Sequence, residues 1–209
     1  MKVMTLIDHL QVDPRFGKLN DIIAFIEQAR ELGMQVIIEL LIQHTSDAHP
    51  WFQQARRNPQ SPYRDYYLWS DTDDDDTPPM FPGVEKSIWT WDDEAGQYYR
   101  HMFYHHEPDL NLAAPAVLKE IENIIIFWLK LGVSGFRLDA ASHLTKQAGR
   151  GDEKRGLWIL EHLRRLIGQR NPDAILLGEV DVEVEAYKDY FGQNDRLNLV
   201  LNFWLNKYF

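Results

Sequence analysis

Short apolar runs alternate along the chain with longer stretches whose apolar residues recur at helical spacing. Residues 36–42, 133–140 and 174–180 are nearly continuous apolar runs, which is typical of strands buried on both faces of a parallel sheet. A fourth run occupies residues 197–203. The helical stretch 151–170 lies between the second and third runs, so the pattern predicts a β-α-β unit within an α/β fold.

Three further stretches predict amphipathic helices. Asn20 is predicted to be the N-cap of a helix that ends at Gly33. Pro115 suits the first turn of a second helix, which ends at Gly132. Residues 183–190 predict a third helix. These helices are expected to cover the parallel sheet.

The stretch 47–111 breaks this regularity, because Trp and Tyr residues alternate there with Pro, Gly and Asp without a period. A long irregular insertion is usually functional, although most of its aromatic side chains are expected to form its own core. We therefore predict three parts, residues 1–46, 47–111 and 112–209. Within the insertion, the Asp-rich run 71–76 lacks the Gly and terminal Glu of an EF-hand loop, so an exposed turn is expected.

Charged residues stand at the ends of the predicted strands. Arg137 and Asp139 are two residues apart, so an extended strand points both to one face. Glu179 ends the next strand, and barrel enzymes carry their catalytic residues at the carboxyl ends of parallel strands. A structural Arg–Asp ion pair explains the Arg137–Asp139 spacing equally well. His44, which follows the run 36–42, either binds a ligand hydroxyl or is satisfied by neighbouring backbone.

Several motifs in fixed order resemble the α-amylase family of retaining α-glucoside hydrolases and transglycosylases. The resemblance extends over nearly the whole chain and is carried by "QHTSDAHPWF", "GFRLDA" and "LLGEV". It is most pronounced to the trehalose synthase and α-glucosidase branch, through "SIWTWD", "QYYRHMFYHHEPDLN" and "FWLKLGVSGFRLDA". The resemblance implies a partial (β/α)8 TIM barrel, about strands two to six, with a small lobe inserted after strand three.

The resemblance also implies a two-step retaining displacement at an α-glucosidic bond. Asp139 would be the nucleophile and Glu179 the general acid and base. Arg137 would hold Asp139, and His44 would bind a sugar hydroxyl. Because Arg137 is expected to assist only Asp139, the pKa of Glu179 is expected to lie above that of Asp139. Glu39, inside the run 36–42, is expected to pair with Arg137 or with another cation.

The chain departs from the family's pattern near two of these motifs. The family has an Asp followed by Asn-His, where this chain has Glu39 and then Gln43 before His44. That Asn often serves as a calcium ligand in amylases, so calcium binding is an open alternative. The longer side chain of Gln43 argues against a calcium site at this position. No cofactor is required for the chemistry, and no metal ligand is assigned. A Tyr-Asp pair that the family usually carries is replaced by Met4 and Thr5.

The resemblance further implies that about half of the barrel lies outside this sequence. The family's third catalytic Asp follows the seventh strand, and no residue here matches it. We therefore expect a fragment that is inactive alone, from a parent glycoside hydrolase or glucosyltransferase. Two alternative hypotheses are a non-catalytic amylase-like scaffold and an unrelated α/β binding domain. The intact Arg137, Asp139 and Glu179 argue against the scaffold for the parent protein.

Composition narrows the choice of partner. The chain has 209 residues, of which 44% are hydrophobic, and a net charge of −10. That charge argues against a nucleic-acid partner and suits a neutral small molecule such as an α-glucoside. There is no Cys for a disulfide or a thiolate metal site. The apolar stretch at the start of the sequence is too short for a signal peptide, and no apolar run is long enough to span a membrane. A cytoplasmic protein is therefore expected. The exact glucoside, its linkage, the acceptor and the oligomeric state are left open.

Overall fold

The computed structural model describes residues 6–201 and residue 203, which divide into two compact units. The first unit comprises Met1–His9 and Leu41–Leu118, and the second unit comprises Leu10–Leu40 and Lys119–Phe209. Met4 and Thr5 lie outside the described residues, as does part of the predicted run 197–203. The predicted division at residues 46 and 111 stays a prediction.

Seven α-helices and seven strands are assigned in the described part of the chain. The helices are α1 (Leu19–Glu31), α2 (Pro50–Arg57), α3 (Pro115–Lys130), α4 (Ala141–Ala148), α5 (Glu153–Gly156), α6 (Trp158–Arg170) and α7 (Tyr187–Phe191). The strands are β1 (Ile38–Leu40), β2 (Trp69–Ser70), β3 (Trp89–Asp92), β4 (Gln97–Arg100), β5 (Gly135–Leu138), β6 (Ile175–Glu179) and β7 (Leu199–Leu201). Within the described residues, no helix is long and apolar enough to cross a membrane.

The second unit is built on a four-stranded parallel sheet in the order β1-β5-β6-β7. Each strand lies within a predicted apolar run, so the α/β prediction is confirmed, although β1 is shorter than its run. Close strand packing depends on Gly135, which has a φ of 151°. A Cβ atom there would lie 2.2 Å from the carbonyl oxygen of Ile175, so only glycine permits this approach.

Two details of the predicted helices were wrong. The helix α1 begins one residue before Asn20, and its N-cap is Lys18, whose backbone N–H donates to the Asp21 carboxylate at 2.7 Å. The helix α4, which contains Ser142 and His143, was not predicted. This helix can start immediately after β5 because the single residue Ala140 turns the chain in a left-handed conformation, which no periodicity reveals.

The first unit has regular structure where we expected none. The strands β2, β4 and β3 form an antiparallel sheet in that order, and α2 precedes them. Its core is aromatic, as predicted: the buried Phe52 packs against Tyr67, Trp69 and Tyr99, with ring centroids 5.0 to 5.7 Å apart. Strands of two to four residues are too short to show an alternating pattern, which is why the sequence appeared irregular.

Two buried histidines of the first unit contact each other edge to face. The rings of His9 and His49 lie 5.5 Å apart between centroids, and Trp51 contacts both rings. The Nε2 atom of His9 bonds to the carbonyl oxygen of Leu41, and the Nδ1 atom of His49 accepts from the backbone N–H of Trp51. Burial lowers the pKa of His9 to about 4 and that of His49 to about 4. Both imidazoles are therefore neutral near pH 7.

We expect these histidines to make the protein acid-labile. Because their pKa is lower in the folded state than in the unfolded state, the unfolded chain binds more protons, and stability falls as the pH drops from about 6.5 to about 4. Over this pH range each histidine lowers the free energy of unfolding by at most about 3 kcal/mol. The double variant His9→Phe with His49→Asn should flatten the dependence of the unfolding midpoint on pH between 7 and 5. Asn at position 49 keeps a side-chain acceptor at the N-cap of α2. An unchanged slope would contradict this assignment.

Candidate active site

Three carboxylates converge on one guanidinium at the carboxyl edge of the parallel sheet. The Nη1 atom of Arg137 donates to Oε1 of Glu39 at 2.5 Å and to Oδ1 of Asp139 at 2.6 Å. The Nη2 atom of Arg137 donates to Oε2 of Glu179 at 2.5 Å. All four side chains belong to the second unit. The expected Glu39–Arg137 pair is confirmed, and Arg137, Asp139 and Glu179 lie together.

The register of the sheet explains why these side chains meet. Arg137 lies opposite Glu39 in the β1–β5 ladder and opposite Leu177 in the β5–β6 ladder. Asp139 is two residues after Arg137, and Glu179 is two residues after Leu177, so both point to the face that Arg137 occupies. The cluster therefore follows from strand pairing rather than from a flexible loop.

The residue after Asp139 holds the turn in a strained conformation. Ala140 has a φ of 42°, in the left-handed region that residues with a Cβ atom rarely adopt. Its backbone N–H donates to Oε2 of Glu179 at 3.5 Å, a long hydrogen bond. The strained turn therefore brings a backbone donor, the N–H of Ala140, to the carboxylate of Glu179. The local sequence pattern does not predict this turn.

The cluster has one positive charge against three negative charges. Partial burial raises the pKa of Glu179, and the neighbouring Asp139 raises it further, while Arg137 opposes both. Burial also raises the pKa of Glu39. We expected Arg137 to assist Asp139 alone, and that premise was wrong because the guanidinium bonds to both Asp139 and Glu179. Desolvation and the nearby carboxylate raise the pKa of Glu179 despite the ion pair.

His44 belongs to the first unit and is almost fully buried. It lies opposite Asp109 in an isolated antiparallel bridge, and its Nε2 atom is 3.9 Å from Oε1 of Glu107. Its ring makes an edge contact with Phe103, 5.6 Å between centroids. These contacts fix the imidazole within its own unit, and its role toward a ligand stays a prediction.

The described residues contain no group of three or more His, Asp or Glu side chains that could hold a metal ion. The acidic run 71–76 is mainly exposed, as predicted, and Asp75 accepts from Nε1 of Trp89 at 3.2 Å. The cluster at the sheet edge offers a pair of carboxylates, Asp139 and Glu179, bridged by the permanent cation of Arg137. Such a pair suits nucleophilic and acid–base catalysis.

Comparison with known proteins gives consistent matches. The family model "Alpha amylase, catalytic domain" matches residues 5–208. A trehalose synthase of Pimelobacter sp. is 42% identical over 193 residues, which cover 90% of this chain and 34% of that protein. A trehalose synthase of Thermus thermophilus is 42% identical over 206 residues, covering 94% of this chain and 21% of that protein.

The fold has close counterparts among solved structures. The trehalose-6-phosphate hydrolase of Bacillus licheniformis superposes with a TM-score of 0.84 at 28% identity, covering 95% of this chain and 39% of that one. The chain thus spans between about a fifth and two fifths of the length of these relatives.

Proposed function

This chain belongs to the α-amylase catalytic-domain family, and we propose that it supplies the nucleophile and the general acid–base of an enzyme acting on α-linked glucosides. The substrates would be α-linked gluco-oligosaccharides or disaccharides, and the reaction would be a retaining double displacement. The observation that carries this proposal is the Arg137 guanidinium bonded to both Asp139 and Glu179 at the ends of adjacent parallel strands.

In the first step a carboxylate oxygen of Asp139 attacks the anomeric carbon and forms a glycosyl ester. The bond between that carbon and the leaving oxygen breaks, and Glu179 gives its proton to this oxygen. In the second step Glu179 takes a proton from the acceptor hydroxyl, whose oxygen attacks the anomeric carbon and releases Asp139. Partial burial raises the pKa of Glu179, which suits a group that must be protonated in the first step.

The remaining polar residues position these groups. Arg137 orients the Asp139 carboxylate, and Glu39 binds the same Nη1 atom from the neighbouring strand. His44 would bind a hydroxyl of the sugar through its imidazole. No cofactor enters either step.

The acceptor decides the outcome of the second step. Water as the acceptor gives hydrolysis, whereas a sugar hydroxyl gives transfer or isomerisation such as maltose to trehalose. Two relatives at 42% identity are named trehalose synthases, which favours isomerisation over hydrolysis as our proposal for the whole protein.

We also propose how the described part fits a barrel. The strands β1, β5, β6 and β7 would correspond to the third to sixth strands of a (β/α)8 barrel. The stretch 47–111 would be the lobe inserted after the third strand, and 1–46 and 112–209 would be barrel. The parallel order of the four strands supports this assignment.

The complete gene product that carries this chain should be incubated with maltose, and glucose and trehalose should be separated by chromatography over time. Trehalose as the main product supports isomerisation, and glucose alone supports an α-glucosidase. Either result supports an α-glucoside-acting enzyme. Absence of turnover with maltose, isomaltose, sucrose and starch would overturn the proposal.

A further inference from the structure

A buried ion pair stands apart from the carboxylate cluster, within the first unit. The side chain of Asp109 is fully buried, and its Oδ2 atom accepts a short hydrogen bond from Nη1 of Arg100. The same two residues are also joined through their backbones, because the N–H of Asp109 donates to the carbonyl oxygen of Arg100 at 2.9 Å. The guanidinium itself is mostly buried, with 17% of the side chain exposed.

An ionised carboxylate at this depth requires a partner of positive charge. Burial raises the pKa of Asp109 to about 6, and it does so although Arg100 and the backbone N–H of Met102 lower it. The nearby Glu107 adds negative charge and raises the pKa of Asp109 further. Asp109 also lies opposite His44 in an isolated antiparallel bridge, so the ion pair and His44 occupy the same part of the first unit.

We propose that the guanidinium of Arg100 is a built-in cation that takes the place of a calcium ion beside the buried carboxylate of Asp109. Arg100 is the last residue of β4, and its backbone N–H donates to the carbonyl oxygen of Leu68 at 3.0 Å. The cation is therefore supplied by a strand of the antiparallel sheet.

The donor set does not suit calcium. Calcium takes six to eight oxygen ligands, whereas the described residues contain no group of three or more His, Asp or Glu side chains that could hold a metal ion. Gln43 stands at the position where amylases often have a ligating Asn, and its side chain is one methylene longer, so its amide oxygen does not reach the same point. A guanidinium already bonded to the one carboxylate would repel a divalent cation at that oxygen. The inference concerns charge balance in the first unit and stands whatever the enzyme's substrate.

The test is the thermal unfolding of the complete gene product in EDTA and in calcium chloride, for the wild type and for Asp109→Asn. The readout is the difference between the two proteins in the change of unfolding midpoint that calcium causes. A calcium site elsewhere in the protein shifts both midpoints equally and does not affect this difference. We expect the two proteins to shift equally on addition of calcium. A shift that occurs in the wild type and is lost in Asp109→Asn would overturn the proposal.

A second set of variants tests the role of the guanidinium. Arg100→Met leaves Asp109 without its cation and should lower the unfolding midpoint by roughly 6 to 20 °C. Adding Asp109→Asn to Arg100→Met should restore more than half of that loss, because no charge is then buried. The matched control is Arg57→Met, which removes a cation from an exposed ion pair of the same unit, Arg57 with Glu94, and should shift the midpoint by less than about 2 °C. Equal effects of Arg100→Met and Arg57→Met would also overturn the proposal.

Discussion

Asp139→Ala should lower kcat/KM for an α-glucoside by a factor on the order of 10⁵. The substitution removes the carboxylate that Arg137 holds at 2.6 Å and leaves space beside the anomeric carbon. Added azide can enter that space and attack directly, with a single inversion. The product should therefore be a glucosyl azide of configuration opposite to that of the substrate, which NMR spectroscopy of the products distinguishes.

Two control variants separate this role from general damage. Asp139→Asn fills the same volume without a charge, so it should be as inactive as Asp139→Ala but should not respond to azide. Asp181→Ala removes an exposed carboxylate two residues beyond Glu179 and should retain activity within about threefold. If Asp139→Ala keeps its activity, or if azide yields a product of retained configuration, Asp139 is not the nucleophile.

The strand ends were predictable from sequence because both signals are local. A run of apolar residues predicts a buried strand, and a spacing of two places Arg137 and Asp139 on one face. That prediction is confirmed by the sheet register and by the ion pair between them. The contact between Arg137 and Glu179 was not predicted, because it depends on the register between β5 and β6, whose paired residues are 40 positions apart in sequence.

Features held by single residues or short elements escaped sequence reasoning. The left-handed Ala140 carries no glycine signal, so the immediate start of α4 could not be read from the pattern. The strands β2, β3 and β4 are stabilised by pairing with one another and by an aromatic core, not by their own periodicity. Arg100 and Asp109 are only nine residues apart, yet their ion pair depends on the irregular turn between them.

The effect of Glu179→Gln on kcat/KM should depend on the leaving group of the substrate. With maltose the leaving oxygen needs a proton, so kcat/KM should fall by about 10² to 10⁴. With 4-nitrophenyl α-glucoside the phenolate leaves without a proton, so the first step should be nearly as fast as in the wild type. The second step lacks its base and becomes slow, so a burst of nitrophenol equal to the enzyme concentration should precede the steady state.

The pH profile and azide give two independent checks on Glu179. Partial burial raises the pKa of Glu179, and its protonated form acts first, so kcat/KM for maltose should decline as the pH rises through that pKa. For 4-nitrophenyl α-glucoside, whose phenolate leaves without a proton, this decline should be weak in the wild type and absent in Glu179→Gln. In Glu179→Ala, azide should attack the glycosyl ester on Asp139, and two inversions give a product of retained configuration, opposite to the Asp139→Ala result. The same azide product from both variants would mean that Asp139 and Glu179 do not divide the two roles as their contacts with Arg137 suggest.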